Sequence, residues 1–150
     1  GFALGANAFW RVREWFMSMR TDDLYLVDLI ESCLGIESFC GGKDFPAFVH
    51  DEQLRSAVLW KLVVIAAAST KLSAAARDRF TAMPWEQIRG LRNRMVHGYF
   101  TLEWSKVWEI VAHDIPMMRK HAETILADQF PEVYQKLLDR RTCGPPREDA

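Results

Sequence analysis

Apolar residues in this chain recur at spacings of three and four, and nowhere do they alternate steadily with polar ones. That period puts side chains on one stripe of a helix and leaves no half-buried strand. The clearest stripe is Trp104, Val107, Trp108, Val111 and Ile115. Leu24, Val27, Ile30 and Leu34 repeat it, as do Leu54, Val58, Leu62 and Ile65. No Asn-Gly or Asp-Gly pair offers a hairpin turn. The expected fold is therefore all-α, an up-and-down helical bundle of about five to six helices with no sheet.

Local punctuation sets the expected boundaries. Thr21 is a good N-cap, with Asp22 and Asp23 where the helix dipole favours acids, and Gly41-Gly42 ends that helix. A second helix is expected from near Phe48–Asp51 to the small run Ala66-Ala67-Ala68. Ser73 can cap a short third one over Ala74–Phe80. Pro84 suits the start of a fourth, which carries Trp85, Ile88, Leu91 and Met95 and should stop near Gly98. Thr101 is the expected cap of a fifth helix, which Pro116 should kink or break. Pro131 opens the last. Residues 1–19 read as an upstream extension or a tag remnant. Residues 20–139 read as a single helical domain, and residues 140–150, with Pro145-Pro146, as a loose tail.

At 150 residues with 49% hydrophobic and 26% charged, the chain suits one packed domain rather than a disordered one. No apolar run approaches a membrane span, and the apolar N-terminus lacks the basic lead of a signal peptide, so a cytoplasmic protein with no membrane association is expected. Cys33, Cys40 and Cys143 match no common zinc spacing and read as reduced thiols. The formal net charge is only −1, but its distribution is uneven. Between Lys71 and Arg94 six basic residues face two acidic ones. Such a stretch either steers an anionic ligand or is an ordinary solvated helix face.

There is no Gly-rich phosphate loop, GxSxG, HExxH or paired CxxC. His50, His113 and His121 stand alone in polar helical settings and read as surface histidines. His97 has company, in the run Leu91-Arg92-Asn93-Arg94-Met95-Val96-His97-Gly98-Tyr99-Phe100. Asn93 and His97 share a helix face, so the amide can orient the imidazole. A histidine can take the proton from a ribose 2′-hydroxyl or give one to the leaving oxygen. An arginine, here Arg92, can stabilise the charge that builds on phosphorus oxygens. That chemistry needs no metal and no cofactor. One histidine cannot readily be acid and base at once, and a symmetric dimer would supply two. On spacing alone, the same run also reads as a capped helix end with a satisfied histidine.

The run resembles the signature of HepT-like HEPN proteins: arginine, four residues, histidine, one residue, tyrosine. Pro84–Leu91 resembles the family's approach to that signature, and Val107–Val111 with Asp114-Ile115-Pro116 its exit. The likeness extends over roughly Arg20 to Leu126. It implies a HEPN bundle, usually a homodimer, with arginine and histidine of both chains lining a cleft. It implies a metal-independent endoribonuclease toxin of a HepT/MntA-type toxin–antitoxin pair, acting on RNA. Arg92 and His97 would be catalytic and Asn93 supporting, with Arg89 and Arg94 as RNA-binding candidates. The implied partner is an MntA-type nucleotidyltransferase antitoxin that transfers AMP onto the motif tyrosine, here Tyr99. Added charge and bulk there would repel RNA phosphates. The chain departs from the family in its second helix, where a Gly-Glu-Ala-like stretch is common and Ala66-Ala67-Ala68 stands instead. Without that glutamate the alternative is a non-catalytic HEPN module that binds RNA or the nucleotidyltransferase.

Overall fold

The structure, a computed structural model, describes residues 3–97 and 102–144. Among these residues all regular structure is helical. The helices are α1 (Ala3–Cys40), α2 (Phe45–Val49), α3 (Glu52–Lys71), α4 (Ala74–Asp78), α5 (Trp85–His97), α6 (Trp104–Glu109), α7 (Ile115–Gln129) and α8 (Pro131–Cys143). A π-helical turn, Ile110–Asp114, joins α6 to α7.

The long antiparallel-style core is made by α1, which packs on both α3 and α7. In turn α3 carries α5, α7 carries α8, and α2 wedges against α3 and α6. From α1 come Leu26, Leu29, Ile30, Cys33 and Ile36, all fully buried. They meet Val58, Leu62 and Ile65 of α3 and Ile115, Met118, Ala122 and Ile125 of α7. On α3 and α7 these are the positions that the three-and-four spacing marks, because one stripe per helix suffices to close a bundle. On α1 the spacing misleads: of Leu24, Val27, Ile30 and Leu34 only Ile30 is fully buried and Leu24 is 60% exposed, because the core-facing stripe runs through Leu26, Leu29, Cys33 and Ile36 instead. Phe48 fills the end near α6, at 5.1 Å from the Trp108 ring and 6.1 Å from Trp104.

Several boundaries differ from the sequence expectations. The first helix does not start at Thr21: α1 already runs from Ala3, and no proline interrupts it before Cys40. Asp22 consequently serves another helix. It is 8% exposed, and its carboxylate accepts from the Ser73 backbone N–H at 2.8 Å and the Ser73 hydroxyl at 2.6 Å. Ser73 in turn accepts from Ala76 N–H, so the cap of α4 is anchored to α1. Gly42 ends α1 in the left-handed region, φ 73°, where glycine avoids a Cβ clash.

The expected second helix is α3, which starts at Glu52, and a separate short helix, α2, precedes it. Asp44 caps α2 through Ala47 N–H and Asp51 caps α3 through Leu54 N–H, each at 3.0 Å. Two Asp caps seven residues apart cannot sit in one continuous helix. The α-helical ladder is interrupted just before Pro116: α6 ends at Glu109, and α7 opens with Pro116 in its first turn. The preceding turn widens, and Ile115 N–H bonds the Ile110 carbonyl five residues back. Arg140 and Arg141, assigned from composition to the tail, lie within α8, and Arg141 Nη1 reaches Glu123 at 2.8 Å. The expected cap Thr101 lies outside the described residues, and Glu103 takes the N-cap position of α6.

Candidate functional site

The motif helix α5 is held by few anchors. Ile88 is fully buried, with Trp85, Leu91 and Met95 packed partly against the core. The ladder starts at the Pro84 carbonyl, which accepts from Ile88 N–H at 3.0 Å. Trp85 also meets Phe80 edge-on at 5.2 Å. The other side of α5 faces solvent. Arg89, Arg92, Asn93, Arg94 and His97 are all exposed. Arg94 and His97 occupy the last turn, where free carbonyls favour cations.

The structure places Asn93 and His97 one turn apart on the exposed side, as the spacing predicts. Arg92 sits differently. It follows Ile88 by four residues, so its backbone lies on the core-facing side, yet its side chain is exposed. At about 100° per residue it points roughly 140° around the helix from His97. Within one chain the two groups therefore leave α5 in different directions. Tyr99 lies outside the described residues. Ala67, in the small run near the end of α3, is partly buried.

On the His97 side of α5 lies a cavity of about 410 Å³ between α5, α6 and the π turn. Glu86, Gln87, Gly90, Leu91 and Arg94 form one wall; Lys106, Glu109, Ile110 and Asp114 form the other. Arg94 is the one residue of this lining that sequence reasoning had singled out. Lys106 pairs with Glu103 at 3.3 Å in an exposed setting. Burial raises the Asp114 carboxyl, against a lowering by His113 and with a further push from Glu109. The signal available in the sequence was Gly90, a glycine inside a helix.

Two of the other histidines find ordinary partners. His50 Nδ1 lies 2.9 Å from the Pro46 carbonyl, and His121, half-buried rather than on the surface, takes Thr81 N–H at 3.3 Å. Among the described residues no three His, Cys, Asp or Glu side chains gather as a metal site would need. No helix among them is long and apolar enough to cross a membrane. The three cysteines are free thiols, Cys33 and Cys40 buried and Cys143 exposed. Burial pushes the Cys33 thiol up to about 12.

A helical bundle carrying Arg92, Asn93 and His97 on an open helix is consistent with a ribonuclease of the HEPN kind, and comparison with known proteins agrees. The family model Ribonuclease HepT-like matches residues 29–125, and the chain belongs to that family. It is 32% identical over 109 residues to the "Putative RNase MJ1380" of Methanocaldococcus jannaschii, covering 73% of this chain and 100% of that protein. It is 30% identical over 108 residues to the "Putative RNase TTE0752" of Caldanaerobacter subterraneus subsp. tengcongensis, covering 72% and 96%. It is 28% identical over 101 residues to the "Probable ribonuclease HepT" of Thermococcus cleftensis, covering 67% and 92%. No solved structure gives a significant match.

Proposed function

We propose that the chain is a metal-independent endoribonuclease toxin that acts on RNA in the cytoplasm as a homodimer. The observation that carries this reading is the exposed Arg92–Asn93–His97 run on α5 in a chain of the HepT-like ribonuclease family. His97 takes the 2′-hydroxyl proton, the 2′-oxygen attacks phosphorus, and the 5′-oxygen leaves with a proton donated by the imidazolium of the second copy. Arg92 stabilises the charge on the phosphorus oxygens, and Asn93 orients the imidazole. The divergence of Arg92 and His97 around α5 supports the dimer, because a second copy across a cleft lets one chain's arginine meet the other's histidine. Arg89 and Arg94 bind flanking phosphates. An MntA-type nucleotidyltransferase antitoxin silences the enzyme by placing AMP on Tyr99, two residues along the chain from His97.

The test is cleavage of tRNA, mRNA and ribosomal RNA by purified protein in EDTA, with mass spectrometry first establishing that Tyr99 is unmodified. His97→Ala is expected to lower cleavage roughly a hundredfold or more. Ala67 favours a second reading, a HEPN module that holds RNA or the nucleotidyltransferase without cutting. Retained RNA binding with no cleavage by either protein would select it.

A further inference from the structure

The cavity between α5, α6 and the π turn belongs to no group that the proposed chemistry uses, Arg94 apart. We propose that it is a nucleotide subsite, taking a base that carries an exocyclic amino group, next to or one beyond the scissile bond. This inference rests on the ribonuclease reading above and adds to it a base preference.

Size comes first. About 410 Å³ lies at the low end of small-molecule sites and suits one nucleotide rather than two. Position agrees. Gly90 precedes His97 by seven residues, two helical turns, so the two share a stripe of α5 about 10 Å apart along the axis. Arg94 stands between them on the same side. An RNA strand with its reacting phosphate at His97 would pass over the mouth of the cavity.

Gly90 supplies an independent observation. A helix-interior glycine is unfavourable relative to alanine, so packing normally explains one that persists. Packing does not explain this one: a Cβ built there meets nothing within 4 Å. The missing side chain keeps the cavity wall flat and open. Leu91 and Ile110 flank that wall with apolar surface, on which the face of a base can lie.

The remaining lining sorts the bases. Asp114, Glu109 and Glu86 line the cavity with carboxylates, which can accept from the amino groups of cytosine, adenine or guanine. Uracil carries no amino group: where cytosine has one, uracil has the O4 carbonyl, and oxygen would then face oxygen. Arg94 and Lys106 suit the nucleotide's phosphate, the weak exposed pair of Lys106 with Glu103 being easily exchanged. The π turn brings Ile110 and Asp114 together onto the same wall, and such turns are frequent at functional sites.

The experiment is calorimetric titration of the full chain with CMP, AMP, GMP and UMP, which contain no bond for a ribonuclease to cut. Each of the first three is expected to bind about ten-fold or more tightly than UMP. Gly90→Leu, which fills the cavity, should abolish that binding without lowering the thermal midpoint. Asp114→Asn, nearly the same shape, should narrow the gap between CMP and UMP. Equal binding of all four, saturable binding of none, or unchanged binding in folded Gly90→Leu would overturn the subsite. If the base preference is found but the wild-type chain cuts no RNA, the subsite stands and the ribonuclease reading falls.

Discussion

Replacing Asp22 should reveal how much of the fold depends on one carboxylate. It joins α1 to the cap of α4, 51 residues away, through bonds of 2.8 Å and 2.6 Å to Ser73. A hydrogen bond to a charged acceptor contributes about 1.5–3 kcal/mol when partly buried. Water reaches the vacated Ser73 in part, so Asp22→Ala should cost about 3 kcal/mol rather than the full sum. For a chain of this length that lowers the thermal midpoint by roughly 10 °C. Asp22→Asn keeps an acceptor for the Ser73 N–H and lets the hydroxyl accept instead of donate, so its cost should be about 1 kcal/mol. Ser73→Ala and the double variant complete a cycle read by urea unfolding. The double variant should be no worse than about 1 kcal/mol below Asp22→Ala, since the partners are shared. Strict additivity of the two single changes, or equal losses in Asp22→Ala and Asp22→Asn, would refute the anchor.

Other expectations follow from the same coordinates. Gly90→Ala should stabilise the chain by about 1 kcal/mol in chemical unfolding, since the helix gains and nothing is hit; a loss would mean that the wall is already in contact. Ala82, at φ 54°, should gain about 1 kcal/mol on replacement by glycine, measured the same way. Arg119 forms hydrogen bonds with Glu37 and Glu123, and the Glu37 bond is the main cause holding the guanidinium charged; Arg119→Met should cost about 2 kcal/mol and leave two half-buried carboxylates facing each other. The Cys33 thiol ionises more readily unfolded, near 9, than folded, at about 12, so the folded state holds the extra proton between them. Stability should therefore fall as pH rises from 9 toward 12, and Cys33→Ala should show a shallower fall over that window in pH-dependent unfolding.

What the sequence discloses here depends on how local the cause is. The stripes of α3 and α7, the cap at Ser73 and the stop at Gly42 are legible because each is decided within a few residues. The start of α1 was not, because Thr21 and Asp22 have the composition of a cap while Asp22's partner is Ser73, far along the chain. The split between α2 and α3 hinged on Asp51 taking an extended backbone, which the apolar spacing through Leu54 does not register. At the candidate site, Asn93 and His97 could be placed on one face by arithmetic alone. The cavity beside them could not, since its second wall comes from Lys106 and Asp114, a dozen residues or more further along the chain. Gly90 was visible but mute until its surroundings were known to be empty.

The π turn at Ile110–Asp114 makes the chain unusually tolerant of one change of length. A π turn closes its hydrogen bond one residue later than an α turn, so it carries one extra residue in a single turn. Removing one of those five residues would let the segment close into ordinary α-helix with its two ends almost where they were. Met118, Ala122 and Ile125 would stay in register with α1. The same deletion inside the regular part of α7 would turn everything downstream by about 100°. A single-codon deletion is thus mild in the turn and severe one turn later.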